Sequence, residues 1–364
     1  MTMNDRALNR ALLARQLLLE RASIAPHAAI EHLIGLQSQA PHPPYTGLWS
    51  RLAEFDPHLV SNGLLDRSLV RATTMRGTVH LMSARDYQGI RPNLRPSLNR
   101  LLRANPAFPQ LEGLDLAEVA DFGRRELTAQ PRSLNDLRPA LLEQWPDRDP
   151  AVLTLAISDL VPVVQTPPRG LWQTNGKPTL APAESWLGPF PDPYPMEAVV
   201  RRYLAAFGPA NAADMQTWSG LLGLKEIFER MRPELIVIDD GKRQFFDLPD
   251  APRPDPDTPA PVRFIAEWDN LLIGHKQRTR IMSEANRKRI ATPNGMVPAT
   301  ILIDGFLQGT WKIERGKNIA TISITLFIPI APAVQDELEA EARSLLAFLA
   351  AETANQQLNI SVSP

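Results

Sequence analysis

Leu69-Val70-Arg71-Ala72-Thr73-Thr74-Met75-Arg76-Gly77-Thr78-Val79-His80-Leu81-Met82 is the stretch on which the fold turns. Val70, Thr73, Thr74, Thr78 and Val79 place β-branched residues on both arms, and Gly77 lies between them. Branching at Cβ suits a pleated strand and a glycine permits a turn, so the run predicts a β-hairpin. The residues before it have a helical period. Asn4 to Arg21 carries leucines at helical spacing, and Ser23 to Leu36 is a second such run. Tyr45 to Leu52, entered through Pro43-Pro44, and Val60 to Arg67 are further pieces. Helices followed by a hairpin with arginines near its turn is the order of a winged helix.

That order recurs twice. Asp115 to Gln130 reads as helix, Ser133 as the cap of a helix from Leu134 to Trp145, and Asp149 as the cap of one ending near Leu160. Val161 to Pro167 and Leu171 to Thr174 then read as short strands around Pro168-Arg169-Gly170. The third round has helices at Met196 to Phe207, Asn211 to Gly220 and Leu224 to Met231. Its strands are Glu234 to Asp239 and Arg243 to Leu248, about the turn Asp240-Gly241-Lys242. Beyond a proline-rich joint at Pro249 to Pro261, five strand-like runs follow: Val262 to Asp269, Asn270 to His275, Thr300 to Phe306, Leu307 to Arg315 and Ile319 to Ile328. The basic run His275 to Arg289 is expected as an exposed loop or hairpin, and Val334 to Ala351 as a closing helix. The predicted fold is α+β. Three tandem winged-helix units, 1–112, 113–190 and 191–255, precede a small antiparallel β-barrel-like module with a terminal helix, 256–364.

Leu36-Gln37-Ser38-Gln39-Ala40-Pro41 interrupts the first unit. A proline disfavours helical geometry at the residue before it, so the helix is expected to stop near Leu36. On an extended segment residues two apart share a face, which would aim Gln37 and Gln39 into one space. Each amide carries one acceptor oxygen and two donor hydrogens, so the pair can hold a water molecule but is neither acid nor base.

The chain has 364 residues, 44% hydrophobic and 22% charged, ordinary values for a globular protein with room for several units. It has no cysteine, which removes disulfides, thiolate zinc sites and cysteine nucleophiles. No apolar run approaches membrane-spanning length and the start MTMNDRALNR lacks a signal-peptide core, so a cytoplasmic protein without a membrane partner is expected. The net charge of −1 conceals an asymmetry. Asp66 to Arg103 holds eight arginines against two aspartates, and Lys276 to Arg289 holds six basic residues against one glutamate. Concentrated basic patches fit a polyanion partner.

The Gln-x-Gln stretch, the run Thr74-Met75-Arg76-Gly77-Thr78-Val79-His80-Leu81 and the run Trp268-Asp269-Asn270-Leu271-Leu272 with its basic sequel together resemble the AlkZ-type winged-helix DNA glycosylases. The resemblance covers nearly the whole length. It implies hydrolysis of the N-glycosidic bond of alkylated purines, chiefly N7-alkylguanine, including guanines joined in interstrand cross-links. It implies Gln37 and Gln39 as the catalytic pair. Glutamine at both motif positions resembles the branch that protects producers of azinomycin-type antibiotics.

An N7-alkylguanine is already cationic and leaves as a neutral base, so the enzyme has chiefly to place a water and stabilise an oxocarbenium-like sugar. Arg76, Lys276, Arg278, Arg280, Arg287, Lys288 and Arg289 are candidates for DNA contacts. His80 is a further candidate beside the site, although a lone histidine in a strand is more often structural. No metal or cofactor is implied. The expected partner is duplex DNA carrying alkylated or cross-linked guanine, bound by a monomer. A non-catalytic winged-helix regulator is the alternative.

Overall fold

The computed structural model describes residues 3–239, 241, 243–292 and 295–363. Its strands are β1 (Leu36–Gln37), β2 (Leu69–Thr73), β3 (Val79–Ser83), β4 (Val163–Thr166), β5 (Thr179–Pro182), β6 (Ile236–Asp239), β7 (Gln244–Asp247), β8 (Arg263–Ile265), β9 (Thr300–Ile303), β10 (Phe306–Arg315), β11 (Ile319–Leu326) and β12 (Asn355–Val362). Two five-stranded sheets have the orders β1-β3-β2-β4-β5 and β12-β11-β10-β9-β8, and β6 and β7 form a separate pair.

The hairpin is β2 and β3, antiparallel with Arg71 opposite Leu81 and Ala72 opposite His80. A short 3₁₀ turn, Met75–Gly77, joins them, with Arg76 in the left-handed region at φ 58°. β2 also pairs with β4, so strands of the first and second rounds share one continuous sheet. The helix before β1, Pro26–His32, is shorter than its periodicity predicts. It ends at His32, and the chain turns through Ile34 (φ 55°) and Gly35 (φ 89°) into β1. A Cβ at Gly35 would lie 2.7 Å from Met82 Cγ, so glycine alone fits this close turn.

The caps read from sequence, Ser133 and Asp149, are in place, and Asn211 is a further one. Asp149 accepts from Ala151 N, and Ser133 with Asp136 and Asn211 with Asp214 form capping boxes. Other expectations are corrected. Leu171–Thr174 is turn, because Trp172 packs on Tyr45 and Phe348 and its N–H donates to Ser61 Oγ at 2.8 Å; the partner of β4 is β5. Asn270–Ile273 is a helical turn, capped by Asp269. The basic run carries a helix, Glu284–Arg289, capped by Ser283. The expected turn residues Asp240 and Lys242 lie outside the described residues.

The C-terminal sheet is open: its order is linear, and no pairing between β8 and β12 closes it among the described residues. It is also not wholly antiparallel. β11 leads into the helix Pro332–Leu349, whose Leu338, Ala342, Leu345, Leu346 and Leu349 form a buried helical stripe, and β12 returns parallel to β11. That helix and sheet share a core with Phe264, Ile301, Ile322 and Ile324.

The larger core joins distant parts of the chain: Leu12, Ile34 and Met82 from the first round, Phe207 and Trp218 from the third, and Leu271 and Leu302 beyond the proline-rich joint. The joint itself is tied down. Arg6, Arg10 and Arg15 of the first helix (Asp5–Arg15) donate to the carbonyls of Pro256, Thr258 and Pro252.

Candidate active site

The Gln-x-Gln segment is an added edge strand on the hairpin. Gln37 lies opposite His80, and Ser38 N–H donates to Val79 O at 2.7 Å. The regular ladder stops there. Gln39 sits in a bend, and its Oε1 takes the next hydrogen bond, from Val79 N–H at 3.2 Å. Gln37 is buried and Gln39 is exposed. Ser38 is clamped from below: Arg71 donates to Ser38 Oγ at 2.9 Å and to Ser38 O at 2.7 Å, and reaches Gln165 on β4. Gly170 (φ 98°) admits that arginine, since a Cβ there would lie 2.6 Å from Arg71 Cδ.

Arg76 is the hub. Its Nη2 donates to Gln37 Oε1 at 2.7 Å and to Asn270 Oδ1 at 3.0 Å. Its Nη1 donates to Trp218 O, a carbonyl in the last turn of the helix Ala212–Ser219 that has no partner within that helix. All three acceptors are neutral, and burial, with Arg278 adding to it, lowers the Arg76 pKa to about 10. Guanidinium and backbone N–H groups only donate, so both glutamine amides are fixed with oxygen inward. Among the described residues neither amide nitrogen has a partner.

Asn270 follows Asp269, whose two oxygens receive a bidentate pair of bonds from Arg51 at 2.8 and 2.9 Å, both side chains buried. Gln37, Glu267, Asp269 and Asn270 share the wall of a cavity of about 10 Å³. That is room for about one water, not for a purine.

The predicted DNA-contacting residues divide. Lys276, Arg287, Lys288 and Arg289 are exposed. Arg278 is half-buried, lines the same groove as Lys276 and Arg287, and has no acidic partner among the described residues. Three others are not on the surface that the sequence suggested. Arg280 is 2% exposed and donates to Pro209 O at 2.6 Å. Arg76 spends its guanidinium on the bonds above. His80 is fully buried, its Nδ1 against Thr78 O at 3.1 Å, and burial first, then the charge of Arg76, lowers its pKa to about 3, which keeps the ring neutral. Glu267 had no signal of its own in the sequence, and Asn270 was marked only as part of the Trp268–Leu272 run. Among the described residues no three His, Asp or Glu side chains converge to hold a metal ion, and no helix is long and apolar enough to cross a membrane.

A family model described as "DNA glycosylase AlkZ-like" matches residues 30–348. An interstrand DNA cross-link repair glycosylase of Streptomyces sahachiroi is 24% identical over 326 residues, 84% of this chain and 87% of that one. The solved structure of the Streptomyces sahachiroi DNA glycosylase AlkZ superposes over 100% of both chains with a TM-score of 0.79 at 20% identity.

Proposed function

Because the chain belongs to the AlkZ-like DNA glycosylase family, we propose that it hydrolyses the N-glycosidic bond of N7-alkylguanine in duplex DNA and unhooks interstrand cross-links left by bis-alkylating antibiotics of the azinomycin type. The single observation that carries this reading is the pair Gln37 and Gln39 at the edge of the hairpin, each amide oxygen held by a donor and neither amide nitrogen partnered among the described residues. The cross-link repair activity of the Streptomyces relative supports the lesion class.

The pre-charged base needs no acid to depart. The glutamines position a water and the sugar, Gln39 through its free nitrogen and the remaining lone pair of its oxygen, and Gln37 through its nitrogen. Neutral amides confine the enzyme to bases that are already cationic. A cross-linked guanine is tethered and cannot swing into a deep pocket, which suits a site whose cavity admits water alone. Lys276, Arg278, Arg287, Lys288 and Arg289 contact backbone phosphates. The helix-then-strand-pair rounds act as three winged-helix units of a cytoplasmic monomer, the first bearing the glutamines. The reaction is monofunctional hydrolysis without lyase chemistry.

The test is a duplex with a single N7-methylguanine, and in parallel one with a guanine–guanine cross-link, treated with wild type, Gln37→Ala and Gln39→Ala and then with alkali. Cleavage by wild type that both substitutions abolish, with duplex binding kept, is the expected result. Tight binding with no abasic site on either substrate would refute it.

A further inference from the structure

We propose that Glu267 is a catalytic residue of this site, the general base that takes a proton from the attacking water. The proposal rests on the glycosylase reading above and supplies the one function that a pair of glutamines cannot perform.

The argument starts from the cavity wall. Its polar side chains are Gln37, Glu267, Asp269 and Asn270. Three of them are committed. Gln37 Oε1 and Asn270 Oδ1 accept from Arg76, and Asn270 Nδ2 reaches Gly35 O at 3.5 Å. Asp269 is held by Arg51 and by Leu271 N–H. Glu267 has no hydrogen bond or ion pair among the described residues, and it is half-buried. The wall therefore offers one unpartnered carboxylate and, on Gln37, one unpartnered amide nitrogen. A cavity with room for about one water, walled in part by Gln37 and Glu267, is where a donor amide and an anionic acceptor could polarise a nucleophile.

The backbone that carries Glu267 is held in place. Trp268 adopts φ 55° with its N–H on Val297 O at 3.1 Å, and buried Ala266 and Asp269 flank the pair. Burial raises the Glu267 pKa. Burial disfavours the charged form, which makes the carboxylate a better proton acceptor. The groups that face it are Gln37 from β1, the uncharged Pro43, Pro44 and Gly47 from the following helix, and Asp269, neutralised by Arg51. Arg76 stands behind Gln37 and Asn270.

The step balances. The C1′–N9 bond breaks and its electron pair neutralises the cationic base. The water oxygen bonds to C1′, and its proton passes to Glu267, which later releases it to solvent. The products are the free 7-alkylguanine and an abasic sugar.

The experiment measures single-turnover base release by the full chain from an N7-methylguanine duplex between pH 4.5 and 8, less the uncatalysed rate, for wild type, Glu267→Gln and Glu267→Asp. Wild type should lose rate as pH falls and the carboxylate protonates. Glu267→Gln should be slower by ~10²-fold at neutral pH, lose that acid limb, and keep its duplex affinity and unfolding midpoint. Glu267→Asp, which keeps a carboxylate, should retain the acid limb. A Glu267→Gln rate within about threefold of wild type, with the acid limb intact, would overturn this proposal and leave the glycosylase reading standing. No release by wild type from this duplex or a cross-linked one would overturn both.

Discussion

Arg76 Nη2 lies 2.7 Å from Gln37 Oε1, and the same guanidinium holds Asn270 and the Trp218 carbonyl. One side chain on the hairpin turn thus orients the first motif glutamine and ties it to two elements far away in the chain. Lysine presents no planar fork and cannot span three acceptors. Arg76→Lys should lower base release by ~10²-fold, the scale expected when a positioned group drifts by about 1 Å, while duplex binding is preserved. Unchanged single-turnover rates would show that Gln37 needs no such anchor.

The Arg51–Asp269 pair supports the site from behind, with both side chains sealed from solvent. Removing one partner strands a buried charge. Asp269→Ala should cost about 3–5 kcal/mol of folding stability, read from the urea midpoint at neutral pH. A midpoint equal to that of wild type would mean that Arg51 finds other acceptors or water.

His80 and His275 are both buried, with pKa values lowered chiefly by burial to about 3 and about 4 from an ordinary 6.5. Between those values the unfolded chain binds protons that the folded chain refuses, so stability rises with pH there. Stability should be flat above about pH 7 and fall from pH 6.5 to 5 by on the order of 1.4 kcal/mol per unit for each histidine. His80→Leu should remove one histidine's share of that slope, measured as urea midpoints at pH 7 and pH 5. Identical slopes for the two proteins would count against a neutral buried His80.

Exposed Lys276 and Lys288 are expected at phosphates, and Arg280, buried on Pro209 O, is not. Replacing both lysines by alanine should reduce the slope of log affinity against log salt by ~0.9 for each phosphate no longer neutralised. An unaltered slope would remove the basic run from the DNA interface.

Local signals carried much of the fold. The β-branched arms around Gly77, the capping pairs Ser133/Asp136 and Asn211/Asp214, and the leucine stripe of the last helix are each read within a few residues, and each has its element. Other elements, β5 among them, gave no such signal. The helix Ala84–Arg103 contains Pro92 and Pro96, which read as breaks. Both prolines point away from the buried Ile90, Leu94 and Leu98, on the side where water can satisfy the carbonyls they leave unpaired. β12 is polar and largely exposed, with only Leu358 and Ile360 packed on the core, and its order comes chiefly from the backbone ladder to β11.

The sequence by itself determined the hairpin, the extended backbone at Gln37 and the family resemblance, because these depend on residue spacing and backbone preference over short distances. Only the tertiary structure decided which charged residues face solvent and which are bonded inside. Arg76, Arg278 and Arg280 look alike in a sequence, yet one orients a glutamine, one lines a groove and one is buried on a carbonyl. The cost of burying a guanidinium is offset only by acceptors that folding brings from elsewhere, here Asn270, Trp218 and Pro209, at separations no local pattern encodes.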